Sequence, residues 1–415
     1  MKSLTNRIGL PPKLMMGYAG LVVFMMGEGL EQGWLSPFLI SGGLSIQQSA
    51  LLFSVYGIAA ALAAWLSGVL SEMFGAQRVM TAGVIIFIIG SIFFISVGLP
   101  SHNLYVMLPT YALRGFGYPL FAYSFLVWVA YEAPTEKLGS AVGIFWFCYS
   151  GGLNVLGALY SSIALPYLGE MTTLWSALVF VVIGAMIAIF LNREKVAKKA
   201  TGERPSLGYL LKGITIAFEK PKIGMGGIVR TINTSAAYGF TVFMPLFFME
   251  IGFTRGEWLQ IYACLWSVNI IFNLLFGVIS DRLGWRNTVM WFGGMGCATF
   301  TVLFYYVPLW SGANFLLTML IAGCFGACLA AYVPLSAIMP TLAPENKGAA
   351  MSILNLGAGL STFLGPAVVG IFIGSLGTVG VIWVFAGLYV FSAFLMKFVT
   401  LPKNQDLVVP AGSVD

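Results

Sequence analysis

The sequence predicts an all-α membrane protein with twelve transmembrane helices in two pseudo-symmetric six-helix bundles. Three observations predict it. The chain is 59% hydrophobic and only 9% charged. Soluble domains carry about 25% charge, so lipid has to be the solvent for most of this surface. Twelve apolar runs reach the roughly 20 residues that cross a bilayer. Finally, a pattern returns after 209 residues: Gly68–Gly75 (GVLSEMFG) as Gly277–Gly284 (GVISDRLG), Gly43-Leu44-Ser45 as Gly252-Phe253-Thr254, and Gly139-Ser140-Ala141 as Gly348-Ala349-Ala350. One fixed offset means two halves of the same parallel topology. In membranes such halves flank a path that opens to each side in turn.

The runs in order are Met15–Ile40, Ile46–Leu66, Val79–Gly98, Leu104–Tyr131, Ser140–Leu165, Met171–Leu191, Ile223–Phe248, Glu257–Ile279, Thr288–Val307, Asn314–Leu342, Gly348–Ile373 and Val379–Val399. They are read as helices. Lipid offers no partner to bare backbone groups, and the runs far exceed the ~9–11 residues of a barrel strand. Residues 1–191 form the first bundle, 192–222 a cytoplasmic linker and 223–415 the second bundle. Within the linker, Leu207, Leu210, Leu211 and Ile214 recur at helical spacing and predict a short interfacial helix. The first apolar run is too long for a cleavable signal, and no small-residue cleavage site follows it. Ser45-x-x-Gln48 and Thr254-x-x-Glu257 fit a capping box at the start of spans two and eight.

With the amino terminus in the cytoplasm, 18 of the 21 Lys and Arg fall in cytoplasmic segments. The positive-inside rule asks for this skew and puts both termini in the cytoplasm. The net charge of +6 therefore reflects topology, and no basic patch for nucleic acid is seen. Cys148, Cys264, Cys297, Cys324 and Cys328 all lie inside spans, read as small packing residues, and no Cys/His metal spacing exists. His102, the only histidine, falls in an outside loop. No nucleophile–histidine–carboxylate set can then be assembled, so the chain is not read as an enzyme, and no metal or cofactor is expected.

The segment Gly277-x-Ile-Ser-Asp281-Arg282-x-Gly284-Trp-Arg286 resembles the loop between the second and third helices of each half in the major facilitator superfamily. The resemblance implies a latch between the halves, with glycines allowing a tight turn and close helix approach. In the first-half copy Gly68, Glu72 and Gly75 are kept. Met73 and Ala76 stand where cations are usual, leaving only Arg78 nearby.

Buried charge is the next signal. Glu28 and Glu31 sit deep in span one and Arg114 in span four. An unpaired charge at mid-bilayer costs about 2.5–3.5 kcal/mol even on the insertion scale, so such residues face the bundle interior and find partners. At ~1.5 Å per residue the depths of Glu28 and Arg114 nearly coincide. An acid on span one against an arginine on span four also resembles the sugar–proton symporters of the superfamily, in which spans one, four, seven and ten line the cavity. The resemblance implies that one of the two glutamates carries a coupling proton. Glu28 is preferred, since it shares a face with Gln32. The other reading is a static ion pair that fixes helix register.

Arg230, Asn233, Trp266, Asn269, Asn273, Tyr118, Trp146, Tyr149, Tyr332 and Asn355 add neutral donors, acceptors and ring faces within the spans. The set suits a small polyhydroxy ligand. Each polar residue could equally join helices by hydrogen bonds worth ~1 kcal/mol or less. Gly365-Pro366 marks a kink in span eleven. Span five lacks the Gly-Pro pair of exporting antiporters in the superfamily, which favours uptake over efflux.

Several stretches resemble the polyol permeases of bacteria. They include Gly27-Glu28-Gly29, Tyr56-Gly57-Ile58-Ala59, Arg114-Gly115-Phe116-Gly117-Tyr118-Pro119, Leu168-Gly169-Glu170-Met171, Val229-Arg230-Thr231-Ile232-Asn233-Thr234 and Gly256-Glu257-Trp258-Leu259-Gln260. The resemblance implies monomeric uptake of ribitol or D-arabinitol with a proton across the bacterial inner membrane. A dicarboxylate such as α-ketoglutarate is the alternative ligand, since it would give Arg114 and Arg230 a carboxylate to bind.

Overall fold

The computed structural model describes residues 14–132, 138–191, 215–344 and 346–401. All regular structure among these residues is helical. Eight stretches are long and apolar enough to cross a membrane. Two of them, Ala141–Phe190 and Ala349–Met396, run to 50 and 48 residues. Each is broken once, at Gly169 (φ 72°) and at Gly377 (φ 63°), and so makes two spans. Spans one (Met15–Gly29 with Leu35–Ser41) and four (Leu104–Glu132) bring the total to twelve.

The internal repeat is written into the backbone. Ser45–Gln48 and Thr254–Glu257 both close complete capping boxes. Gly43 and Gly252 have φ of 104° and 108°, and Gly75 and Gly284 have φ of 88° and 85°. Side chains rarely adopt such angles, so glycine at both copies lets the chain turn sharply between spans two and three, and between eight and nine. Close helix approach is a different matter at Gly68 and Gly277. A Cβ there would meet nothing within 4 Å among the described residues, so the expectation of tight packing at these two positions is corrected to that extent. The side chains of Glu72 and Asp281 and the expected linker helix lie outside the described residues, whereas Arg282 is exposed.

Three spans expected to be continuous are broken at mid-depth. Span one leaves the helix at Gly29 and resumes at Leu35, through a turn with Gly33 at φ 86°. The run Gly27, Gly29 and Gly33 gives the helix little intrinsic support. Side chains satisfy the freed carbonyls: Ser161 Oγ donates to Leu30 O at 2.5 Å, and Trp258 Nε1 to Gly33 O at 2.9 Å. Span seven divides at Thr234, between Pro221–Asn233 and Ser235–Glu250, and the Thr234 hydroxyl meets Ser361 Oγ at 2.8 Å. Span ten divides before Pro334, between Phe315–Ala330 and Leu335–Leu342, where proline cannot donate to the helix ladder. Irregular backbone at this depth is tolerated when protein or a cavity surrounds it.

The halves meet toward one end of the bundle, where spans one and two are joined. Ser36 Oγ donates to Val242 O at 2.7 Å, Tyr262 to Gln32 Oε1 at 3.5 Å and Thr362 Oγ1 to Gly57 O at 3.5 Å. Arg255 pairs with Glu170 at 2.6 Å at the rim. Spans two and eleven touch backbone to backbone: a Cβ on Gly57 would lie 2.6 Å from Phe363 N and 2.7 Å from Thr362 O. Gly57→Ala should therefore cost about 1–3 kcal/mol as an overpacking change. Gly68→Ala should be neutral or stabilising by up to ~1 kcal/mol. Thermal unfolding of the two purified variants in detergent checks the contrast.

Candidate functional site

At the break in span one, Glu28, Glu31 and Arg114 come together, only 1%, 3% and 3% exposed. Arg114 Nη1 donates to Glu31 Oε2, and Nη2 lies 3.4 Å from Glu28 Oε2. The sequence pointed to Glu28 as the partner of Arg114, but the nearer partner is Glu31. The turn after Gly29 swings Glu31 off the helical face it would otherwise hold. Tyrosine hydroxyls complete both carboxylates: Tyr56 donates to Glu28 Oε1 and Tyr111 to Glu31 Oε1, the latter at 2.6 Å. The guanidinium lies 5.0 Å from the centroid of Phe87 and 5.9 Å from that of Tyr111, contacts that favour a cation in an apolar setting. Close packing holds the cluster. A Cβ on Gly90 of span three would lie 2.4 Å from Arg114 N, and one on Gly29 would lie 1.8 Å from Leu153 O of span five.

A cavity opens beside these acids with about 470 Å³ of empty space, counting its open side. Glu28, Glu31, Gln32, Tyr56, Tyr111 and Tyr118 line it from the first half, and Tyr238, Thr241, Thr362 and Pro366 from the second. Of the residues singled out in the sequence, Glu28, Glu31, Gln32 and Tyr118 line it directly.

A second polar layer lies deeper along span four. Tyr118, Tyr123, Tyr149, Tyr238 and Arg230 interact electrostatically with one another across the two halves. Trp146 packs edge-on against Tyr149 at 5.4 Å and Tyr123 at 6.0 Å. Asn233, with its amide turned to suit its neighbours, accepts from Arg230 Nη1 at 2.7 Å and donates to Leu329 O at 3.2 Å. No acidic side chain among the described residues pairs with Arg230. Arg114 and Tyr123 are nine residues apart on one helix, roughly 13 Å along its axis, and Tyr118 and Tyr238 belong both to this layer and to the cavity lining.

Other expected site residues do not line this cavity. Asn269 Nδ2 donates to Gly326 O at 3.1 Å and Asn269 Oδ1 accepts from Asn273 at 3.3 Å, tying span eight to span ten. Tyr332 bonds Ser392 Oγ at 2.7 Å and packs on Gly293, so it points into the second bundle. Trp266 stands behind Tyr238 and Tyr262 at 6.1 and 6.3 Å. Asn355 is exposed and makes no side-chain hydrogen bond among the described residues. A polar side chain inside a bundle also satisfies neighbouring helix carbonyls, and its residue type does not say which.

Tyr56, Tyr111, Tyr238 and Thr362 were not expected in the site. Tyr111 and Tyr118 flank Arg114 at about one helical turn, a spacing that could have signalled a shared face. Tyr56 lies in a stretch that carried only the family resemblance, and it reaches Glu28 only through the fold.

The sequence profile of the Major Facilitator Superfamily matches residues 17–339. The chain is 54% identical to the α-ketoglutarate permease of Bacillus subtilis over 400 residues, 96% of this chain and 92% of that protein. It is 38% identical to the D-arabinitol transporter of Klebsiella pneumoniae over 409 residues, 97% and 96% of the two chains. The crystal structure of a D-xylose–proton symporter superposes with a TM-score of 0.72 at 14% identity, covering 95% of this chain and 99% of that one.

The ionic contacts lead to two expectations. Arg114→Met leaves two buried carboxylates without their cation and should cost about 3–5 kcal/mol. Glu31→Gln in the same chain should recover part of the loss, read as thermal stability and yield in detergent. At the rim, the hydrogen bond from Arg255 holds the Glu170 carboxyl below its usual range. That contact stabilises at neutral pH and is lost as the pH falls through the lowered value. With both side chains about one-third exposed, Glu170→Gln should cost ~0–1 kcal/mol at pH 7, a difference that should vanish in strong acid.

Proposed function

The chain belongs to the Major Facilitator Superfamily, and on that premise we propose that it imports a small organic acid of the α-ketoglutarate type together with a proton. The observation that carries the choice of ligand is Arg230. It is a cation inside the second bundle, bonded to Asn233 and within electrostatic reach of Tyr123 of the first half and Tyr238 of the second, and no acid among the described residues balances it. A guanidinium away from water favours a counter-charge, and its planar fork matches a carboxylate in two hydrogen bonds. A ligand carboxylate supplies that charge, while Tyr123, Tyr149, Tyr238 and Asn233 offer hydroxyl and amide groups to its remaining oxygens. The 54% identity to a protein named α-ketoglutarate permease supports the same reading.

The proton has its own place in this proposal. With Glu28 and Glu31 both ionised, Arg114 leaves one negative charge in excess, and a proton on either acid cancels it. Glu31 holds the near arm of Arg114 and the Tyr111 hydroxyl, whereas Glu28 has the farther arm at 3.4 Å. Glu28 is therefore the acid that gives and takes the proton. With the amino terminus in the cytoplasm of a bacterial inner membrane, the closed end faces outward. Rocking of the halves about the broken spans would then expose the acids and Arg230 to each side in turn. The ligand and the proton sit in separate layers, so they are coupled through the state of the halves rather than by direct contact.

A linear polyol is the second reading. The 38% identity to a D-arabinitol transporter favours it, as do the many tyrosine hydroxyls. Uptake of labelled α-ketoglutarate and labelled D-arabinitol into proteoliposomes, with and without an inward proton gradient, separates the two. The proposal expects gradient-driven accumulation of α-ketoglutarate. Arg230→Gln should weaken its binding by about tenfold or more, the loss of a charged hydrogen bond. Accumulation of D-arabinitol alone, indifferent to Arg230→Gln, would sink the organic-acid reading. Glu28→Gln should keep exchange of ligand across the membrane and lose gradient-driven accumulation.

A further inference from the structure

Tyr56 opens a stretch quoted for family resemblance alone and sits on span two, and its hydroxyl is the near donor to Glu28. The ring is fixed from several sides. Tyr111 lies 4.4 Å away and Tyr118 6.0 Å away between centroids. A Cβ on Gly115, next to Arg114, would lie 2.8 Å from its Cδ2. The following residue, Gly57, is the one whose backbone abuts Thr362 and Phe363 of the other half. The Tyr56 hydroxyl and the Glu28 carboxylate therefore lie sealed beneath the contact that closes this end of the bundle.

A proton-coupled importer has to return empty with its acid unprotonated, or the proton leaks without cargo. During that return the carboxylate passes through a state closed on both sides. A carboxylate shut away from water without donors is costly. Glu31 has two near donors, Tyr111 and the close arm of Arg114. Glu28 has one near donor, Tyr56, and the far arm of Arg114 at 3.4 Å.

We propose that Tyr56 is the positioning residue of the empty return step: its hydroxyl stands in for water on the ionised Glu28 carboxylate while the cavity is shut. On the loaded leg the acid carries its proton, and the neutral carboxyl gains less from the same donor. The inference rests on the proton-coupled reading above and adds to it which step the tyrosine serves.

Tyr56→Phe keeps the ring and removes only the hydroxyl. Two rates are measured in proteoliposomes with labelled α-ketoglutarate: net uptake driven by a proton gradient, which needs the empty return, and exchange against internal α-ketoglutarate, which does not. The expected result is a fall of about ten- to hundredfold in the ratio of net uptake to exchange, the worth of a hydrogen bond to a charged group. In a Glu28→Gln background, with no carboxylate to solvate, the same substitution should leave the exchange rate where Glu28→Gln alone puts it. An unchanged ratio, or an equal loss of both rates, would overturn the proposal. A wild-type protein that exchanges α-ketoglutarate but ignores the proton gradient would overturn this proposal and the coupling claim together, leaving the ligand assignment standing.

Discussion

Two carboxylates and one guanidinium have to share a space closed off from water, and most of the first bundle is arranged around that requirement. Span one gives up its helix at Gly29 so that Glu31 can turn toward Arg114. Spans three and five press glycine and bare backbone close against the cluster. Two tyrosines from different helices finish the carboxylates' hydrogen bonding. An ion cluster this dry is weak support for stability in itself, because desolvation offsets much of the attraction. Its excess of one acid over the base is what makes it suited to holding and releasing a proton.

Much of the architecture could be read before any coordinates. Low charge, span-length apolar runs and the 209-residue echo left few alternatives, and the echo survives even in paired backbone angles at Gly43/Gly252 and Gly75/Gly284. The acids and Arg114 were legible too, because charge inside a span is expensive and must be met by a partner. Which acid met the arginine was not legible. Helical geometry assigns faces only while the helix continues, and span one stops between Glu28 and Glu31. Asn269, Asn273 and Tyr332 misled for a related reason: an amide or hydroxyl serves a helix junction as well as a ligand, and only the neighbouring span decides. Tyr56 was invisible because its partner lies 28 residues away on another helix.

The structure also separates two questions that the sequence had merged. Arg114 and Arg230 both looked like anchors for an anion. Arg114 is paired with Glu28 and Glu31, whereas among the described residues Arg230 is bonded to a neutral amide, with phenols in electrostatic reach and no acid paired to it. On the proposed reading, one cation would hold the proton site together and the other would meet the cargo, an organic acid rather than a polyol. It also means that the halves need only agree on which end is shut. Spans two and eleven at Gly57 and the Glu170–Arg255 pair close the same end that covers the acids.

Proton uptake linked to binding tests the central claim most directly. Calorimetric titration of the purified protein with α-ketoglutarate, repeated in buffers of different ionisation enthalpy, reports how many protons enter the complex. The account predicts that ligand binding draws about one proton from solution and that Glu28→Gln abolishes the uptake while ligand still binds. Binding with no proton uptake in the wild type, or uptake that persists in Glu28→Gln, would contradict it.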